Sequence, residues 1–518
     1  MALDTPAARR RALIAITIPL IMVGIDATIL NVALPTIARD LDTSSSELVW
    51  INSSYIIVFG STILFSASLA DKIGRKRVLM IGMAIFIAGS ALSGASDALD
   101  SSKFLIVARA VQGLGAGAIP PATLSLIRAI YTDDRERARA IGLWAGMSGI
   151  GLAVGPILGG LILNSTSAWG WIFYINVPVV ILGQVLIARR VPESRDPEAP
   201  PLDVTGATLS LIGLLALFYA LIEGPVRGFL SAPVLIAFAL AAVLLVYFAI
   251  YELRARFPEL DPRLFLSRAF TSGVISIAIA FLVLMGLIYE LTLYLQTVRG
   301  FSPLKAGVAL VPFAVALLLI APIAPRIAER RGDRPTVMAG LAVLAGGLLV
   351  LLATSVTSPY WIVLLAVILA GAGVSLIQPP ASAAMMGSVD AAKAGMASGT
   401  NAAIRQIGAS FGIAMLGGIG QIVFNNHLVG SSAYEQLPGS AQAIADSSVT
   451  GAVEVGEKVG GQGGEALIHT AGVGFTDGLH WAVVGSTVVV AAGLVCAARM
   501  IPRKAEVHPE HRRPGGGV

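Results

Sequence analysis

Runs of about 18–25 apolar residues, parted by short charged breaks, recur along the whole 518-residue chain. Each is long enough to cross a hydrocarbon core of about 30 Å as a single helix. The first six lie near 12–34, 48–70, 78–96, 104–127, 138–163 and 172–188. Two more, near 204–222 and 232–251, follow the proline-rich stretch Val191 to Asp203, which reads as an exposed linker. Six others, near 269–296, 304–325, 336–354, 360–380, 396–424 and 477–499, complete fourteen expected spans. Backbone polar groups in lipid must be satisfied internally, so segments of this length dictate an all-α integral membrane protein. Charge density agrees: 13% of residues are charged, about half the share in a soluble globular chain.

The net charge of +5 invites a nucleic-acid reading, but its distribution argues otherwise. With the N-terminus cytoplasmic and sides alternating, 28 of the 36 Lys and Arg fall on inner segments and six on outer ones. That is the positive-inside bias; it places both termini in the cytoplasm and makes the basic charge a topological signal. The apolar run after MALDTPAARRR is too long for a signal peptide and reads as a retained first span. Residues 425–476, rich in Gly, Ala and Ser, read as a flexible or weakly helical outer hairpin, and 501–518 as a disordered tail. The single cysteine, Cys496, excludes a disulfide framework and any multi-thiolate metal site.

The chain repeats itself at an offset of 258 residues. Asp71 maps onto Glu329, Gly74 onto Gly332, Met80 onto Met338, Gly82 onto Gly340, Gly113 onto Gly371, Gly115 onto Gly373 and Pro121 onto Pro379. An offset covering eight spans implies two six-helix halves with a helix pair inserted between them. The expected organisation is 1–190 as the first bundle, 191–203 as linker, 204–268 as the inserted pair and its loop, 269–500 as the second bundle and 501–518 as tail.

Within the first span, GIDATILNVALP (24–35) carries the carboxylate of Asp26 where only hydrocarbon belongs. An ionised side chain there costs about 2.5–3.5 kcal/mol on insertion scales, which makes it a functional candidate. Arg109, at a comparable depth in the fourth span, shares a helix face with Gln112, Gly113 and Gly117. A close-packed polar face of this kind turns inward, and its cation needs a partner, so Arg109 and Asp26 are expected to interact. Glu290 is a second deep carboxylate. It is either satisfied by Tyr289, Tyr294 and Gln296 or free to bind a cation or proton. Asn31, Gln112, Tyr289, Tyr294, Gln296 and Arg405 are candidate cavity residues, Arg405 being either packing or a cavity charge. Gly74 permits a tight turn between antiparallel helices, with Asp71 pairing with the basic cluster or capping the next helix. Gly151, Gly155 and Gly159 recur every fourth residue around Pro156, a close-packing stripe. The histidines form no metal-ligand pair on a helix face, and no P-loop is present, so neither a metal, a cofactor nor an internal ATP motor is indicated.

Several segments resemble the major facilitator transporters, and among them the fourteen-span drug:proton antiporters. ASLADKIGRKR (67–77) is similar to the family's G-x-L-A-D-R-x-G-R-K-R loop, with Ala67 replacing the first glycine; RAVQGLGAG (109–117) follows R-x-x-Q-G-x-G-A. GLAVGPILGG (151–160) follows the G-x-x-x-G-P-x-x-G-G pattern of exporting branches, and WIFYINVP (171–178) and IDATILNVALP (25–35) resemble fourteen-span segments. The resemblance covers about residues 12–424 and implies two rocking halves latched through Asp71, Gly74, Arg75 and Arg77, with Gly151, Gly155, Pro156, Gly159 and Gly160 as the antiporter motif. It further implies proton-coupled efflux of hydrophobic or cationic drugs across a bacterial inner membrane, by a monomer in the lipid bilayer with protons as coupling ion and no nucleic-acid partner. Asp26, Arg109 and Glu290 are the candidate coupling residues. The alternatives are a proton-coupled importer of a small metabolite, which the 151–160 motif disfavours, and a non-transporting membrane sensor or lipid-handling protein.

Overall fold

A computed structural model describes residues 5–501 apart from 132, 167, 196–200, 259 and 390–393. Most of the expected tail, the middle of the linker and Lys393 therefore lie outside the described residues. The helices in chain order are α1 (Pro6–Asp40), α2 (Ser45–Ile73), α3 (Arg75–Leu99), α4 (Ser102–Ile130), α5 (Asp134–Ser165), α6 (Trp171–Tyr174), α7 (Asn176–Arg190), α8 (Val204–Arg227) and α9 (Ala232–Arg254). They continue with α10 (Arg268–Leu293), which runs on as one π turn over Tyr294–Val298, then α11 (Pro303–Ile320), α12 (Ala324–Arg331), α13 (Asp333–Leu351), α14 (Tyr360–Gly387) and α15 (Ala394–Val429). Three short helices, α16 (Ser432–Glu435), α17 (Gly439–Ser447) and α18 (Val449–Val459), precede α19 (Gly461–Met500). Among the described residues twelve helices are long and apolar enough to cross a membrane, thirteen if α2, bent by 49° between Ile63 and Phe65, is counted as one span. The expected count of fourteen is thus met only to that extent, because the described apolar part of α5 is the short stretch Val154–Ser165.

The helices pack in two groups. In the first, α1 lies against α5 and α7, and α4 between α2 and α3; in the second, α10 lies against α14 and α15, α14 against α11 and α13, and α19 against α13 and α15. The groups meet along α5/α11 and α2/α15, and α8, backed by α9, lies across the second of these seams. We call the face where Pro6 lies the start face and the other the far face.

The repeat holds at the level of contacts. Gly74 (φ 123°) and Gly332 (φ 93°) both make the turn into the following helix with a backbone that L side chains avoid. A Cβ on Gly113 would lie 2.4 Å from the Tyr55 carbonyl oxygen, and one on Gly371 2.5 Å from that of Phe313. Gly115 packs on Gly82 and Phe86, as Gly373 does on Gly340 and Leu344. Each contacted residue is again 258 positions from its counterpart. The charged pair buried in the first half does not repeat: the counterparts of Asp26 and Arg109 are Leu284 and Val367.

Two expectations are corrected. Residues 425–476, expected as a flexible or weakly helical hairpin, are mostly helix and are packed: α15 continues to Val429, α18 buries Val449, Ala452, Val455 and Gly456, and α19 begins at Gly461. Tertiary burial, not propensity, holds such short helices; Gly456 lets α18 approach the Gly464 carbonyl and Ile468 of α19, and Ser448 caps the helix through Gly451 N. The linker's first residues are also docked rather than free, with Val191 buried and Ser194 accepting from Arg75 N at 2.8 Å.

Candidate functional site

Asp26 is fully buried in the first helix group, and both of its carboxylate oxygens are occupied. Arg109 Nη1 donates to Oδ2 at 2.8 Å. Oδ1 accepts from Gln112 Nε2 at 2.8 Å and Asn176 Nδ2 at 3.1 Å. Ser90 Oγ ties these amides together, accepting from Asn176 (2.9 Å) and Gln112 (3.2 Å) and donating to the Phe173 carbonyl. Arg109 also donates to Gln112 Oε1 at 2.7 Å and lies over the Tyr55 ring, 4.1 Å from its centroid. A buried ion pair survives when further hydrogen bonds satisfy its remaining lone pairs and protons; here α4 and α7 supply the amide donors to Asp26, Ser90 of α3 holds those amides, and α2 supplies the ring and the Ile51 carbonyl, which accepts from Arg109 Nε at 3.4 Å.

The backbone that allows this is glycine-dependent. A Cβ on Gly89 would lie 2.5 Å from Gln112 N, so α3 reaches α4 closely enough for Ser90 to meet the amide. Gly113 and Gly117 bring α4 onto Tyr55 and Thr62 of α2 in the same way. Ser90, Tyr55 and Asn176 were not singled out in the sequence. The signal for Asn176 was its place in WIFYINVP at the start of a span; Ser90 and Tyr55 offered none.

Glu290 is also buried, but its surroundings differ. Tyr294 donates to the Ser355 carbonyl (2.6 Å) and Gln296 to the Val32 carbonyl (2.8 Å), so neither serves it. Oε2 has no hydrogen-bond partner, and the carboxylate faces a small cavity with Tyr289, Gln421, Ser448 and Thr450 in its wall. Asn31 accepts from Asn52 Nδ2 at 2.8 Å inside the first group.

The glycine stripe of α5 makes two contacts. Gly151, Gly155 and Gly159 receive α1: a Cβ on Gly155 would lie 2.1 Å from Thr28 Oγ1, and one on Gly151 2.5 Å from the Ile21 carbonyl oxygen. Gly160 and Pro156 meet the second group, with Leu304 Cα 2.4 Å from a Cβ on Gly160 and the Pro156 carbonyl oxygen 2.3 Å from one on Gly307. Together with Gln296 on Val32, they close the seam toward the far face. Beside them Thr28, Pro156, Leu284, Met285, Ile288 and Phe313 help line an apolar cavity between the groups.

At the start face Asp71 pairs with Arg75 Nε at 2.8 Å and does not cap α3. The cap is Glu193, whose carboxylate accepts from Lys76 N and Arg77 N, both at 3.0 Å. Arg75 further donates to Ser194 Oγ, and Lys76 Nζ to the Ala188 carbonyl. Gly74 leaves room for that carboxylate, which a Cβ would meet at 2.8 Å. Arg405 lies against Phe281, its guanidinium 4.6 Å from the ring centroid.

Among the described residues the chain is helical, built from two repeated helix groups that each hold charge within spanning helices, with an apolar cavity between them, an architecture suited to a membrane transporter. The sequence matches the Major Facilitator Superfamily over residues 17–413, and the chain belongs to it. It is 36% identical over 409 residues to the multidrug resistance protein Stp of Mycobacterium tuberculosis, covering 79% of this chain and 75% of that one. It is 32% identical to the multidrug efflux pump LfrA of Mycolicibacterium smegmatis, over 96% of each chain. Among solved structures, an inward-facing, unoccupied bacterial homologue of the human lysosomal transporter Spinster aligns with a TM-score of 0.68 at 17% identity, over 97% and 99% of the two chains, which shows the shared fold.

Proposed function

We propose that the protein is a proton-coupled exporter of hydrophobic or cationic drugs, working by alternating access in a bacterial inner membrane. The observation that carries the reading is the buried Asp26–Arg109 pair with its amide shell: a carboxylate able to exchange a proton for a cation inside a carrier of this family. The relatives named above support the drug class. We assign the start face to the cytoplasm, on the Lys/Arg distribution, and read α2 and α5 as full spans, which makes fourteen. The division into 1–190, 204–268 and 269–500 follows the repeat, with the 204–268 pair as a brace across the α2/α15 seam.

In the cycle we envisage, the far seam opens, Asp26 separates from Arg109, takes a proton from outside and substrate is released. Closure of that seam re-forms the pair, the proton leaves to the cytoplasm and substrate enters the apolar cavity. The halves rock about a central site, while the Asp26–Arg109 contact, which lies within the first half between α1 and α4, loosens inside that half. Glu290, buried without a cation among the described residues, is the second coupling candidate. Everted vesicles test the reading: addition of a drug substrate should collapse a respiration-driven pH gradient, and the absence of any drug-dependent proton flux contradicts antiport.

A further inference from the structure

Two arginines lie deep in spanning helices, and their surroundings are unequal. Arg109 has a carboxylate at 2.8 Å as well as an aromatic face. Arg405 has only the face of Phe281; among the described residues no carboxylate lies within ion-pair distance, and its buried Nε has no hydrogen-bond partner. Arg405 is half-buried, and a cation–π contact of about 0.5–2 kcal/mol leaves part of its desolvation unmatched. The group that would complete the balance is an anion, and this part of the chain does not provide one.

Its position says where that anion would come from. Phe281 lies one helical turn nearer the start face than Leu284 and Met285, on the same side of α10, and these two with Ile288 line the apolar cavity between the halves. The guanidinium over Phe281 therefore sits about one helical turn from the walls of this hydrocarbon-lined cavity, toward its start-face end.

We infer that Arg405 is an anion-binding subsite of the transport cavity and selects amphipathic substrates that carry a carboxylate at one end of an apolar body. The inference rests on the reading of the chain as a drug exporter and extends its substrates to hydrophobic drugs that carry a carboxylate. The guanidinium pairs with the carboxylate in a charge-assisted, bidentate contact while the apolar body lies against Leu284, Met285 and Ile288. Leu284, a wall of this cavity, occupies the position that Asp26 holds in the first half.

The test uses two probes that differ only at the acid, a rhodamine with a free carboxylate and its methyl ester. Binding to the purified full chain in nanodiscs is read by fluorescence anisotropy. The wild type is expected to prefer the acid, Arg405→Gln to lose about tenfold or more in affinity for the acid with little change for the ester, and Arg405→Lys to keep most of the preference. Equal loss for both probes in a monodisperse Arg405→Gln protein would mean a packing role and overturn the inference, as would a wild type that prefers the ester or binds neither dye. Because the readout is binding, a wild type that selects the acid but moves neither dye contradicts the export reading and still supports the subsite.

Discussion

Replacing Arg109 by Met removes the only cation that reaches Asp26 among the described residues, and the structure gives the consequence a size. Asp26 Oδ2 loses its 2.8 Å donor, Gln112 Oε1 its 2.7 Å donor, and the Tyr55 face its guanidinium. Oδ1 keeps Gln112 and Asn176, so the carboxylate is half-solvated by amides with no counter-charge. Breaking a buried pair in this way costs about 3–5 kcal/mol, whereas replacing both partners is often close to neutral. Arg109→Met and Asp26→Asn should therefore each destabilise by about that amount, and the double variant by much less than their sum. The coupling expected is about 3 kcal/mol, measured as a double-mutant cycle from unfolding in graded detergent–denaturant mixtures followed by tryptophan fluorescence. Losses that add to within about 0.5 kcal/mol would refute the reasoning, since independent sites behave that way.

Other consequences are as direct. Gly160→Leu places side-chain atoms where Leu304 Cα now lies and should wedge the α5/α11 seam open toward the far face; maleimide labelling of a cysteine at 304, in a chain lacking Cys496, should rise, and unchanged labelling would contradict the seam. Gln296→Leu deletes the hydrogen bond to the Val32 carbonyl across the two groups and should favour the same opening by about 1 kcal/mol, read as a shift in the same labelling. Glu193→Gln weakens the cap on α3 and should lower stability by about 0.5–1 kcal/mol, checked by the same unfolding assay. Residues 432–459 should resist limited proteolysis in the intact protein, because α18 is packed on α19; rapid cleavage there would show that the helices do not hold.

Much of the fold was legible because membrane burial leaves a coarse, strong pattern. Apolar length marked the helices, and the 258-residue offset was visible through glycines whose size is set by a neighbouring carbonyl, as at Gly113 and Gly371. The Asp26–Arg109 contact could be anticipated because two charges at matching depth have few other ways to be accommodated. The amide shell was not legible, since Ser90 and Asn176 are ordinary polar residues until α3, α4 and α7 converge. The 425–476 segment misled for the opposite reason: its Gly, Ala and Ser look permissive in isolation, but small residues are what allow α18 to pack on α19. Capping by Glu193 depends on a linker folding back onto the α2–α3 turn, a contact between residues more than a hundred positions apart.

The central claim is that Asp26 couples protons to drug movement. It is tested most directly in proteoliposomes with an imposed pH gradient, comparing wild type with Asp26→Asn for uphill drug accumulation and for drug–drug exchange without a gradient. Asp26→Asn, compared under conditions where the destabilised variant stays folded, should lose gradient-driven accumulation while retaining exchange, because Asp26 does not line the apolar cavity. Undiminished accumulation by Asp26→Asn, with proton flux still tied to drug, would contradict it and move the coupling to Glu290.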